Sequence, residues 1–186
     1  MDQRALVERA QHGDHDAFAE LARMHVSRLD AAARLILRDP DLARDAVQEG
    51  FIRAWRGLPA LREPDAFGGW LRTLVTRSCL DIVRRRGHRA IEVELTPADE
   101  LVMSDGSMNL ADRELLNTIL RRLPPDARAV VVLHYYFDLT VPEVAATVGI
   151  PLGTAKSRLN RAMIQMRSHL ADLDRDPASI PGGQLA

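Results

Sequence analysis

Apolar residues recur every three or four positions along nearly the whole chain, which predicts helices throughout. The segment from Asp2 to Ala10 reads as helical. Asp14 or Asp16 caps the next helix, whose stripe is Phe18, Leu21, Ala22, Val26, Leu29, Ala33 and Ile36. Asp39 and Pro40 open a third, with proline suited to a first turn and a stripe of Ala43, Val47, Phe51, Ala54, Trp55 and Leu58. Residues 57–69 form a loop rich in turn formers, including Pro59 and Pro64. A fourth helix turns Phe67, Trp70, Leu71, Leu74, Val75 and Ile82 inward, and Gly87 stops it after Arg84, Arg85 and Arg86.

From about His88 to Ala111 the periodicity fails, and Pro97, Gly106 and several acids mark a linker. Leu115, Leu116, Ile119, Leu120 and Leu123 then form a short helix, stopped by Pro124 and Pro125. Asp126 is placed to cap a helix over 127–137, although its run of valines and aromatics favours a strand by propensity alone. Thr140 and Glu143 make a capping box for a short helix, Val141–Val148. Gly149, Ile150 and Pro151 separate it from a last helix running from about Gly153 to Leu170. The pattern therefore predicts an all-α chain of two small helical domains, 1–90 and 114–171. A flexible acidic linker (91–113) joins them, and a disordered tail (172–186) follows.

A length of 186 residues fits that division, and 46% hydrophobic content excludes global disorder. With aromatics at 4%, the cores must be aliphatic and rich in alanine. The single cysteine, Cys79, excludes a disulfide framework and a cysteine-based zinc site. The first residues lack a basic segment followed by an apolar run, and no stretch nears the roughly 20 apolar residues of a membrane span. The expectation is a soluble, cytoplasmic protein without membrane insertion.

A net charge of −1 lacks the basic footprint usual for a nucleic-acid binder. Its distribution changes that picture. Residues 1–90 and 114–170 each carry +3, whereas 91–113 carry −5 and 171–186 carry −2. Two mildly basic modules flank an acidic tether.

Residues 140–170 fit a helix-turn-helix: a short capped helix, a glycine-containing turn and a longer helix. On the last helix Ala155, Leu159, Ala162, Met163, Met166 and Leu170 fall within one arc of about 100°. The other side carries Thr154, Lys156, Ser157, Arg158, Asn160, Arg161 and Arg167. Its polar residues cluster toward the N-terminal half, where a recognition helix meets base edges. Arg161 suits guanine O6 and N7, and Asn160 suits adenine or a phosphate. Lys156, Arg158 and Thr154 suit phosphates. A merely solvated face is the competing reading.

The first module has two further signatures. Asp45, Ala46, Gln48, Glu49, Phe51 and Trp55 spell D-A-x-Q-E-x-F-x-x-x-W, and Phe67, Trp70, Leu71, Arg77, Asp81, Arg84 and Arg85 mark the helix after the loop. Both resemble segments of bacterial extracytoplasmic-function (ECF) sigma factors, of the sigma-70 family. So do L-x-x-L-P-P-x-x-R from Leu120 to Arg128 and G-I-P-x-G-T-x-K-S-R-x-x-R-A from Gly149 to Ala162. The matches cover about residues 5–87 and 114–170, in order. Ser78 departs from the asparagine of many members, Gly50 lies in mid-helix, and Asn160 occupies a variable position.

The resemblance implies a protein that binds core RNA polymerase and directs promoter-specific initiation. Its partners would be the β′ clamp helices, the β flap, promoter DNA and a sequestering anti-sigma factor. Asp45, Gln48, Glu49, Phe51, Ile52 and Arg53 match the polymerase-docking surface, although Phe51 and Trp55 also suit a core, and for Trp55 the core reading is preferred. The loop and following helix match the reader of the melted −10 strand. Leu61 and Arg62, with Glu63 and Asp65 beside them, are candidates for base capture. Arg72, Arg77, Arg84, Arg85, Arg86 and Arg89 are candidates for phosphates, though Arg84–Arg86 also suit a solvated helix end. Thr154, Lys156, Ser157, Arg158, Asn160 and Arg161 match the reader of −35 duplex. The acidic linker would thread toward the polymerase cleft, or serve as an ordinary tether.

Nothing points to an enzyme or a cofactor. There is no glycine-rich phosphate loop, and His12 and His15 lack a third metal ligand. Cys79 reads as a small core residue. The alternative, a dimeric helix-turn-helix regulator with an N-terminal sensing domain, accounts for 114–170 but not for the Gln48–Glu49 and Trp70–Arg86 segments.

Overall fold

The computed structural model describes residues 2–86 and 110–175, and every regular element among them is helical. The expectation of an all-α chain is met. The chain divides into two compact units, on either side of Val102–Met103. Gly87, Arg89, residues 91–109 of the expected linker and residues 176–186 of the tail lie outside the described residues.

The first unit contains α1 (Gln3–Gln11), α2 (His15–Leu37), α3 (Pro40–Gly57) and α4 (Phe67–Arg86). Side chains define the starts: Asp2 accepts from the Arg4 amide, Asp14 from the Ala17 amide, and Asp39 from the amides of Asp41 and Leu42. Asp14, not Asp16, is the cap of α2. The segment between α3 and α4 is not open loop. It forms two 3-10 turns, Leu58–Ala60 and Pro64–Ala66, and Phe67, Gly68 and Gly69 already belong to α4.

Leu6, Val7, Leu21, Leu29, Ile36, Ala43, Val47, Ala54, Leu58, Phe67, Leu71 and Val75 form the aliphatic centre of this unit. Val26 is exposed, contrary to the stripe read from the sequence. The buried face of α2 drifts away from it and continues through Ala32, Ala33 and Leu37. Phe51 and Trp55 are half-buried. Phe18 meets the Trp55 ring edge-on at 5.0 Å, and His15 lies 4.6 Å from it.

Gly50 explains itself where α3 crosses α4. A Cβ there would sit 2.5 Å from Val75 Cγ2 and 3.0 Å from Val75 Cα. The residue costs helix propensity, up to ~1 kcal/mol against alanine, and in return lets the two backbones approach.

The second unit contains α5 (Leu110–Arg121), α6 (Pro125–Tyr135), α7 (Val141–Val148) and α8 (Leu152–Arg175). Helix α5 begins four residues before the expected domain boundary at 114, and α8 runs four past the expected one at 171. The valine-rich segment is helix despite its strand propensity, because Val130, Val131, Val132 and Leu133 are all buried between neighbouring helices. Asp126 does not cap α6. It lies in the first turn behind Pro124 and Pro125. The capping box is present: the Thr140 amide donates to Glu143 Oε2 at 2.8 Å. Gly149 ends α7 with φ of +78°, a left-handed conformation that a side chain would strain. From the last helix, Ala155 and Ala162 are buried, whereas Leu170 is exposed.

Gly50→Ala is expected to lower unfolding stability by about 1–3 kcal/mol through overpacking against Val75, although alanine is the better helix former. Urea denaturation of the full chain measures this, and a more stable variant would contradict the close-approach role.

Candidate functional site

Helices α3 and α4 lie side by side and enclose a groove of about 520 Å³. Asp45, Gln48 and Glu49 line it from α3, and Arg85 and Arg86 from α4. Leu42, Ile52 and Ile82 supply apolar walls, with Ile52 exposed to solvent. The groove is thus acidic and amidic along one side, basic along the other, and greasy between them. Arg85 and Arg86, candidates for DNA phosphates, line the same cleft as Gln48 and Glu49.

Ser78 also lines this groove. It is 1% exposed, and its hydroxyl has no hydrogen-bond partner. The small side chain lets α3 and α4 close over it, and it leaves a polar atom at the groove's base.

A chain of charges fixes the rim. Arg53 Nε donates to Glu49 Oε1 at 2.7 Å, and Arg53 Nη1 donates to Asp81 Oδ2 at 3.1 Å. Asp81 also accepts from Arg84, and its carbonyl accepts from Arg85 Nε at 3.3 Å. Burial alone would raise the Asp81 carboxyl, but hydrogen bonds from Arg84 and Arg53 outweigh it and hold the group below its ordinary value. The bonds that Arg53 donates to Glu49 and Asp81 raise its guanidinium. Asp81 therefore straddles both helices. The i, i+3 spacing to Arg84 was visible in the sequence, but the bridge to Arg53, 28 residues away, was not.

The segment between α3 and α4 presents Leu61, half-buried, beside exposed Arg62 and Glu63. The Gln11 amide donates to the carbonyls of Leu58, at 3.1 Å, and Leu61, at 2.7 Å. Arg4 reaches Asp65 at 3.1 Å. Arg72 is half-buried on the first turns of α4, and Arg77 is exposed further along. Trp70 is half-buried, 6.2 Å from the Phe67 ring, as a packing anchor.

In the second unit, α7, its Gly149 turn and α8 form the expected helix-turn-helix. Lys156, Ser157, Asn160 and Arg161 are exposed on the first half of α8, and Thr154 is half-buried. Arg161 is steadied by its own helix: Nε donates to the Ser157 carbonyl and Nη2 to the Ser157 hydroxyl, each at 3.3 Å. Arg158 behaves differently. Its guanidinium lies 3.3 Å from Asp126 on α6, so it braces α8 against its neighbour.

The other candidates are engaged elsewhere. His12 Nδ1 lies 2.7 Å from the Glu8 carbonyl, His15 stacks on Trp55, and no three metal-type side chains converge among the described residues. Cys79 is fully buried, and burial pushes its thiol up to about 12. No described helix is long and apolar enough to cross a membrane.

Among the described residues, a helix-turn-helix in one unit and a charged two-helix groove in the other define a helical protein of DNA-binding type. Residues 21–89 match the family model for Sigma-70 region 2, and residues 113–166 that for Sigma-70, region 4. The ECF RNA polymerase sigma factor SigE of Mycolicibacterium smegmatis is 37% identical, over 82% of this chain and 61% of that protein. The chain thus spans less than two thirds of that relative's length. The RNA polymerase sigma-E factor of Streptomyces avermitilis is 33% identical, over 91% of this chain and 93% of its own. Among solved structures, CnrH in complex with the cytosolic domain of CnrY covers 94% of this chain and 98% of its own, with 26% identity and a TM-score of 0.64. The sigma factor RpoE in complex with the anti-sigma factor NepR, from Bartonella quintana, shares the fold. Its TM-score is 0.65, at 24% identity over 83% of this chain and 96% of its own. The chain belongs to the ECF sigma factors of the sigma-70 family.

Asp81→Asn is expected to destabilise the protein at neutral pH, with a penalty that fades in acid. A carboxylate held below its unfolded value of ~3.9 contributes stability above that pH and loses it as pH falls through the folded value. Parallel urea titrations of wild type and variant from neutrality to acid check this. A penalty independent of pH would contradict the ionic role of Asp81.

Proposed function

We propose that this protein is a non-catalytic initiation factor that acts in the cytoplasm, engaging core RNA polymerase through its first unit and promoter DNA through both. The groove between α3 and α4 carries the proposal. Its apolar centre, Ile52 with Leu42 and Ile82, suits a helical partner, and Asp45, Gln48, Glu49 and Arg53 give that partner a polar, directional rim. The partner is the clamp-helix pair of the β′ subunit. Phe51 does not line the groove; it is half-buried and meets Phe18 edge-on, 6.4 Å away.

The −10 strand is read by the turns after α3 and the first half of α4. Leu61 and Arg62 take a flipped base, and Arg72 and Arg77 take phosphates. Arg84, Arg85 and Arg86 extend the basic track to the end of α4, where cations complement the helix dipole. The −35 element is read as duplex by α8. Arg161 and Asn160 reach base edges, while Lys156, Thr154 and Ser157 take phosphates at the start of the helix. Arg158, braced on Asp126, sets the angle of α8 and stands beside the phosphates. The second unit also meets the β flap. An anti-sigma factor that covers the groove would hold the protein off polymerase, as the complex of RpoE with NepR suggests by its composition.

The test is run-off transcription with purified core polymerase and candidate promoters. Specific initiation that requires this chain is expected, and no stable core complex with no specific transcript would overturn the proposal. Within that assay, Arg161→Ala should lose about tenfold to hundredfold in −35-dependent initiation with core binding retained. Glu49→Lys should lose core binding itself. Both are read from initiation titrations and from native-gel binding to core. Equal loss of core binding by Arg161→Ala would argue against the division of roles.

A further inference from the structure

The segment between α3 and α4 is short, proline-containing and hung from two buried anchors, Leu58 at one end and Phe67 at the other. Between these anchors Pro59, Ala60, Arg62, Glu63, Asp65 and Ala66 are exposed. A segment so thinly packed depends on hydrogen bonds to its backbone to hold its shape. Two are internal, from the Leu61 amide to the Leu58 carbonyl and from the Ala66 amide to the Glu63 carbonyl, each 3.0 Å. Two more come from Gln11 of α1.

Helix α1 contacts both halves of the segment. Gln11 spends its single amide nitrogen on two carbonyls, Leu58 at 3.1 Å and Leu61 at 2.7 Å, and both bonds are partly buried. Two turns earlier on the same side of α1, Arg4 pairs with Asp65 at 3.1 Å. That pair is exposed, with side chains 54% and 72% accessible, so its hold is weak. Leu6, Val7 and Ala10 are buried and seat α1 on the rest of the unit. Gln11 is therefore a rigidly mounted donor that fixes the carbonyl of Leu61, one residue before Arg62.

We propose that Gln11 is a positioning residue for −10 recognition, acting through the Leu58 and Leu61 carbonyls to pre-set the backbone that presents Leu61 and Arg62 to the melted strand. This rests on the reading of that segment as the −10 element reader. Gln11 does not touch the DNA. It removes freedom from a capture surface before the strand arrives, which favours binding and sharpens discrimination, since both depend on geometry held to a fraction of an ångström. The chemistry requires a donor. An isosteric carboxylate at position 11 would face two carbonyl oxygens, whereas a longer cationic side chain still donates.

The experiment uses the full chain with purified core polymerase. It measures open-complex formation on promoter fragments that share a fixed −35 element and differ one base at a time in the −10 element. Gln11→Glu should lower open-complex formation on the matched promoter about tenfold and flatten the differences among −10 variants. Core binding should stay as in wild type. Gln11→Leu, which removes the donor without adding charge, should behave similarly and covers the case in which Gln11→Glu does not fold. Gln11→Lys should restore both rate and discrimination. The proposal is overturned if both donor-less variants discriminate like wild type while Leu61→Ala or Arg62→Ala changes the preferred −10 sequence. If those two variants change nothing either, the segment does not read the −10 strand, and both readings fall.

Discussion

At Gly50 the backbone of α3 lies against Val75 of α4 with no space for a methyl group. That contact sets how near the two helices run, and so how wide the groove beside it stands. The docking residues assigned to the first unit are arranged around this spacing. Asp45, Gln48, Glu49 and Arg53 project from one helix, and Asp81, Arg85 and Arg86 from the other. A wider crossing would part Arg53 from Asp81 and leave that half-buried carboxylate with Arg84 of its own helix alone to offset its burial. Close packing and electrostatics are thus one constraint, with a missing side chain at its centre.

That constraint also changes the meaning of the charge balance. The net charge of −1 sums 25 basic and 26 acidic side chains, and in the fold many of them are also matched locally. Arg4, Arg9, Arg34, Arg44, Arg53 and Arg158 each meet a carboxylate on the protein's own surface. The exposed ones among them, such as Arg4–Glu8 and Arg44–Asp41, contribute little to stability individually. Their effect is to place the remaining basic character, at Arg85 and Arg86 beside the groove and at Lys156 and Arg161 on α8, where it faces outward. A near-neutral protein of this design has a weak general attraction to nucleic acid, and its affinity comes from correctly placed groups.

The helices and their starts were legible because their causes are local. Asp14, Asp39, the Thr140–Glu143 box and Gly149 act within three or four residues, and apolar spacing does the rest. Misreadings arose where distant packing decided. Val26 is apolar yet exposed, because the buried face of a 23-residue helix follows its neighbours. Asp126 looked like a cap, but two prolines start the helix before it and free its carboxylate for Arg158. Gly50 looked like a defect until Val75 was beside it. The site residues on α3 and α8 were readable as motifs. Ser78, Ile82, Asp81 and Gln11 gained their places from contacts across 28 to 50 residues, which no local pattern carries.

The central claim is that the groove between α3 and α4 is the polymerase-docking face, with Ile52 at its exposed apolar centre. A photo-crosslinking side chain at position 52, in holoenzyme assembled from the full chain and purified core, tests it most directly. The expected product is a covalent adduct mapped to the clamp helices of the β′ subunit, absent when the crosslinker is placed instead at Tyr135 in the other unit. An adduct elsewhere on polymerase, or none at position 52 despite full holoenzyme assembly, would contradict it.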